Sequence, residues 1–112
     1  IQGARFETVR FGRGWDLANR EWPRGAHLTF QPNPNSPSGT MLASSEVEQI
    51  ADAVAPGPLV LDEAYVEFAE WNGLELLREV KHLVITRTFS KSYALAGIRF
   101  GFAVARPEVV RE

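Results

Sequence analysis

The sequence predicts an α/β domain, a mostly parallel sheet covered by helices, and three observations predict it. Strand-sized apolar runs, Leu59-Val60-Leu61 and Leu83-Val84-Ile85, alternate with helical periodicity to give a strand, helix, strand, helix, strand order. Apolar residues make up 45% and charged residues 23%, which is globular usage rather than disorder. At 112 residues, one compact domain is expected.

The elements follow in order. Arg5 to Arg10 reads as a strand, with Phe6, Thr8 and Arg10 on one face and Glu7 and Val9 on the other. Arg13 to Pro23 is a loop or short helix. A short strand at His27 to Phe30 leads into the turn-rich stretch from Gln31 to Thr40. A helix opens at Ser44 or Ser45, with Glu48 completing a capping box. Val47, Ile50, Ala51 and Val54 form its buried stripe, and Pro56-Gly57-Pro58 ends it. Leu59 to Asp62 is an apolar strand. Asn72 then caps a helix with Glu75 three residues on and Leu74 and Leu77 facing inward. His82 to Thr86 and Arg99 to Ala105 are the last strands. Pro107 and Glu108 suit a helix start, and the few residues after them suit a piece of a longer protein.

Composition narrows the function. Twelve Lys and Arg against 14 Asp and Glu give a net charge of −2, not the footprint of a nucleic-acid binder. The absence of Cys excludes a disulfide framework, a thiolate zinc site and a Cys nucleophile. His27 and His82 lack metal-ligand spacing. No apolar run approaches a membrane span, so the expected location is the cytoplasm.

Ligands of open α/β sheets gather beyond the carboxyl ends of the strands. There Phe30 leads into Asn33-Pro34-Asn35-Ser36-Pro37-Ser38-Gly39, Leu61 into Asp62-Glu63-Ala64-Tyr65, and Thr86 into Arg87-Thr88-Phe89-Ser90-Lys91. A carboxylate directly after a buried strand must be partnered, by a cap, by an Arg or by a cationic ligand atom. Thr88, Ser90 and Arg99 are suited to a phosphate group. Lys91, flanked by hydroxyls and small residues, is either a further phosphate contact or a covalent attachment point. A phosphate loop of the Gly-x4-Gly-Lys-Ser/Thr kind is absent, and Gly12 and Gly14 lack the third glycine of a dinucleotide fingerprint.

These three ordered motifs, with Leu95-Ala96-Gly97-Ile98-Arg99 after Lys91, resemble those of fold type I aminotransferases dependent on pyridoxal 5'-phosphate, most of all the histidinol-phosphate aminotransferases. The resemblance covers nearly the whole chain. It implies a three-layer αβα fold with helices on both faces of a mostly parallel sheet, in which the final strand, Arg99 to Ala105, runs antiparallel. The chain would be the central part of the large, cofactor-binding domain, without its N-terminal segment and small domain. It implies an enzyme of histidine biosynthesis, working as a homodimer on an amino-acid substrate and a 2-oxo acid. By the same likeness Lys91 matches the Schiff-base lysine, Asp62 the partner of the pyridine nitrogen and Tyr65 the donor to the ring oxygen. Thr88, Ser90 and Arg99 match phosphate contacts, and no metal is implied. The family's usual Asn-Asn-Pro-Thr-Gly is here Asn35-Ser36-Pro37-Ser38-Gly39. Either Asn35 reaches the ring oxygen from one position back or Ser36 replaces it, and Asn35 is preferred. The bond before Pro37 is expected to be cis as in similar enzymes. Glu63 is read as a surface or capping residue, and Tyr93 as a packing one.

The alternatives are another enzyme of this fold, such as a threonine-phosphate decarboxylase or a different aminotransferase, or a non-catalytic α/β module in which Lys91 and Asp62 are ordinary ion-pair partners. By itself the chain is expected to be inactive, with residues 1–23 displaced, disordered or paired with another molecule through an exposed strand edge.

Overall fold

The structure, a computed structural model, describes residues 3–17 and 20–111. Four strands form one sheet: β1 (Thr29–Pro32), β2 (Leu59–Asp62), β3 (Leu83–Thr88) and β4 (Gly101–Ala105). They lie in the order β1-β2-β3-β4, the first three parallel and β4 antiparallel to β3. Helix α1 (Ser44–Val54) connects β1 to β2, and the short helix α2 (Pro107–Val110) follows β4. This is the expected small α/β architecture with its expected antiparallel last strand. No helix among the described residues is long and apolar enough to cross a membrane.

The core lies on one face. Leu59 and Leu61 of β2 and Leu83 and Ile85 of β3 alternate inward and meet Val47, Ile50, Ala51 and Val54, the four α1 residues that the sequence periodicity selects. Burying each of these aliphatic side chains contributes about 1.5–3 kcal/mol. The opposite face carries Phe30, paired with Val60, and Phe30 is 66% exposed. Both helical segments of the core cluster, α1 and the 3-10 turn Gly73–Arg78, therefore serve a single face among the described residues. A helical layer on each face, as first expected, is not present in them.

Several boundaries differ from expectation, each for a physical reason. Residues 5–10 form no strand: a strand needs a ladder partner, and instead Val9 and Phe11 pack against the core while Leu17 joins it. The stretch from Val9 to Leu17 is thus docked on the core rather than displaced. Residues 18 and 19 of the loop lie outside the described residues. β1 runs two residues further, because Gln31 and Pro32 pair with Leu61 and Asp62. β4 starts at Gly101 because Arg99 sits in the left-handed region (φ 52°), which breaks an extended run. The α1 cap is Ala43, whose backbone N–H donates to Glu46 at 2.8 Å, so Glu46 replaces the expected Glu48.

Asn72 does cap the next segment, accepting from the Leu74 N–H, but the segment is 3-10 rather than α. Three residues per turn align Gly73 with Leu76, so Leu76 is buried and Leu74 is exposed, reversing the expectation for Leu74. Gly73 approaches the sheet closely: a Cβ there would lie 2.6 Å from Leu61 Cδ2 and 3.3 Å from Ile85 Cδ1. Gly73→Ala is expected to cost about 1–3 kcal/mol through overpacking. A urea unfolding curve measures this, and an unshifted midpoint would show that the core yields at that point.

Candidate functional site

The carboxyl ends of the parallel strands are in register. Pro32 pairs with Asp62 and Asp62 with Thr86, and the ladder continues past them through Asn33 N–H to Asp62 O and Glu63 N–H to Thr86 O, both 2.9 Å. Three loops leave this edge.

The first spans Asn33 to Leu42 and is held by an internal clamp. Asn33 is fully buried; its Oδ1 accepts from Leu42 N–H at 2.8 Å and its Nδ2 donates to Leu42 O at 3.4 Å. Trp71 Nε1 donates to the same carbonyl. A side-chain amide thus replaces a peptide partner and closes the loop. Inside it Asn35 is buried, with Nδ2 donating to Ser38 Oγ at 2.7 Å, whereas Ser36 is exposed. The Ser36–Pro37 bond is cis. Asn33→Ala leaves the Leu42 backbone groups without this partner, at a cost of about 1–3 kcal/mol. Amide exchange at Leu42 is expected to quicken; an unchanged rate would mean the loop holds itself.

The second loop starts at Asp62. Its side chain is exposed, not buried as the preceding apolar run implied, because β2 ends there and the open face carries no cover among the described residues. Oδ1 accepts from Ala64 N–H (3.1 Å) and Thr86 Oγ1 (3.3 Å), which leaves Oδ2 without a hydrogen bond among the described residues. Three residues on, Tyr65 shares with Asn35, Ser36 and Phe68 a cavity of about 400 Å³.

The third loop holds Thr88, Ser90 and Lys91. Thr88 Oγ1 accepts from Ser90 N–H at 3.1 Å, so those two are in direct contact. The Lys91 amine lies 5.4 Å from the centroid of the Tyr65 ring, within cation–π range. Arg99 is exposed and donates to Ala96 O within its own loop. Tyr93 stacks at a tilt on Phe89, 4.9 Å between centroids, and remains half exposed. Beside Lys91, Ser92 Oγ is buried with no hydrogen-bond partner among the described residues.

The fold therefore joins the residues in pairs: Lys91 with Tyr65, Tyr65 with Asn35 across the cavity, Asp62 with Thr86, and Thr88 with Ser90. Such an edge offers an amine, a phenol, a carboxylate and a hydroxyl pair. Sequence reasoning missed two features. Asn33 carried no signal, since nothing local marks its partner nine residues away. Glu63, read as a surface or capping group, is 1% exposed and ion-paired to Arg87 at 2.7 Å. The Arg partner weighed for Asp62 thus belongs to its neighbour. Strand alternation offered that signal, as Glu63 continues the inward series of Leu59 and Leu61.

Known proteins resemble the chain throughout its length. A family model described as aminotransferase class I and II matches residues 18–112. A histidinol-phosphate aminotransferase of Rhodopirellula baltica is 47% identical over 100% of this chain and 31% of its own length. That of Geotalea daltonii is 46% identical over 98% of this chain and 31% of its own. The chain thus spans about a third of the length of the curated relatives it matches. Among solved structures, histidinol-phosphate aminotransferase from Sinorhizobium meliloti in complex with pyridoxal-5'-phosphate has a TM-score of 0.67 at 34% identity, over 77% of this chain and 24% of that one. L-threonine-O-3-phosphate decarboxylase from Porphyromonas gingivalis has a TM-score of 0.65 at 28% identity, over 75% and 26%.

Proposed function

Because the chain belongs to the class I and II aminotransferase family, we propose that it forms the cofactor-holding centre of an enzyme that moves an amino group between histidinol phosphate and 2-oxoglutarate. The observation that carries this reading is the 47% identity with a histidinol-phosphate aminotransferase across the whole chain. The remainder of such an enzyme would supply the second helical layer, against the face where Phe30 is exposed.

The residues present fit pyridoxal 5'-phosphate by the chemistry of their donor set. A carboxylate oxygen and a buried hydroxyl without partners among the described residues, an amine beside a phenol and a hydroxyl pair lie along one sheet edge. When bound, the cofactor supplies an aldehyde that links to an amine and a ring that takes up the electrons freed at the substrate's Cα. In this reading Lys91 would hold the cofactor through its aldehyde and, once free, would carry the proton on and off the substrate's Cα. Asp62 would hold a proton on the ring nitrogen through Oδ2, and its Oδ1 bonds to Thr86 and Ala64 keep the carboxylate aimed. Tyr65 would donate a hydrogen bond from its phenol O–H to the ring oxygen. Asn35 contributes the second N–H of its amide, the first being held by Ser38. Thr88, Ser90 and Arg99 grip the phosphate, and Arg99 must leave Ala96 O to do so.

A second reading follows from the likeness to the threonine-phosphate decarboxylase. The full-length protein, given histidinol phosphate and 2-oxoglutarate, should produce glutamate. Release of carbon dioxide from O-phosphothreonine without glutamate formation would transfer the assignment to the decarboxylase.

A further inference from the structure

On the core face, directly behind the candidate site, a buried Glu63 pairs with a half-buried Arg87, and the proposed chemistry uses neither. Glu63 Oε2 accepts a hydrogen bond from Arg87 Nε at 2.9 Å and lies 2.7 Å from Nη2, a charge contact without a hydrogen bond among the described residues. Glu63 Oε1 accepts from the Gly73 N–H, which reaches it because residue 73 has no Cβ; one there would lie 3.2 Å from that oxygen. Neighbouring strand residues point to opposite faces, so Asp62, Thr86 and Thr88 line the front while Glu63 and Arg87 are at the back. The same junction of two strands is therefore cross-linked twice: in front by Thr86 Oγ1 to Asp62 Oδ1, and behind by the ion pair.

Stability is a weak reason to bury such a pair, because apolar side chains of equal volume often serve as well or better. Geometry is the stronger one. The Nε hydrogen bond fixes direction and the close Nη2 charge contact fixes distance, and the Gly73 bond prevents Glu63 from turning. We infer that Glu63 and Arg87 are a positioning pair, setting the offset between Asp62 at the end of β2 and the Thr86–Thr88 segment of β3. Both side chains stand on the face opposite Asp62 and Thr86, so neither is placed to touch the cofactor. The pair fixes how far the ring-nitrogen partner lies from the phosphate-binding hydroxyls, and the inference thus rests on the function proposed above.

Two variants of the full-length holoenzyme test it. Glu63→Met with Arg87→Met removes both charges and keeps volume. Arg87→Lys keeps the charge and loses the directed contacts. Three quantities are measured: the melting temperature, the dissociation constant of pyridoxal phosphate, and the visible circular dichroism per bound cofactor, which reads ring orientation. The double variant is expected to melt near the wild type yet bind the cofactor about tenfold more weakly, as for other supporting contacts behind a site, with reduced ellipticity. Arg87→Lys should show the same losses to a smaller degree. Wild-type affinity and ellipticity in a folded variant would overturn the positioning role and leave a structural one. Should the double variant not fold, Arg87→Lys decides by the same readouts. A wild-type enzyme without a visible cofactor band overturns the proposed function and this inference together, whereas a normal wild-type band with unaltered variants overturns this inference alone.

Discussion

Lys91→Ala in the full-length protein should lower amino-group transfer by about 10⁴-fold or more, the upper range for losing a positioned proton carrier. The same amine is proposed both to anchor the cofactor and to move the proton at the substrate's Cα, so one truncation removes two tasks. Borohydride treatment of the wild type gives an independent reading, since it fixes the cofactor irreversibly to the amine that holds it. This chain contains two lysines, Lys81 and Lys91. Lys81 lies in the turn before β3, at the amino end of the parallel strands, whereas Lys91 follows their carboxyl edge beside Tyr65. A cofactor mass on the Lys91 peptide is the expected result. A mass on Lys81, or transfer undiminished in Lys91→Ala, would end the assignment of the amine.

Asp62→Asn should leave the cofactor bound but reduce transfer by about 10³-fold. A carboxylate touching a protonated ring nitrogen, in an effective dielectric near 20, is worth on the order of 5 kcal/mol before desolvation. One pKa unit is about 1.4 kcal/mol, so the ring nitrogen would lose several units of affinity for its proton. Asn retains size and can still accept from Thr86 Oγ1 and Ala64 N–H, the two contacts that aim the side chain. The charge alone is removed. Retained binding with near-normal turnover would show that the ring needs no acid partner here; lost binding would mean that Asp62 serves chiefly as an anchor.

Much of the fold was legible because it is written in local period. The α1 stripe of Val47, Ile50, Ala51 and Val54 and the runs Leu59–Leu61 and Leu83–Ile85 mark the core, and the structure buries the stripe together with Leu59, Leu61, Leu83 and Ile85, while Val84 stays half-buried. The motifs that brought Asn35, Asp62, Tyr65, Thr88, Ser90, Lys91 and Arg99 forward likewise sit at strand ends, where strand length and turn chemistry place them. The misreadings share a cause, which is partnership across distance. Residues 5–10 alternate like a strand but find no ladder among the described residues. Leu74 and Leu76 are equally apolar, and only the 3-10 winding after Asn72 decides which turns inward. Asp62 and Glu63 are adjacent carboxylates, yet one is exposed and the other nearly sealed.

The sequence by itself determined the α/β alternation, the buried stripe of α1 and the residues with chemistry to offer, since each follows from side-chain spacing or type within a few neighbours. Only the tertiary structure decided who meets whom: Asn33 with Leu42, Lys91 with Tyr65, and Glu63 with both Arg87 and Gly73. Those contacts span 9 to 26 positions, and their geometry depends on strand register, a property of two strands at once that neither strand encodes alone.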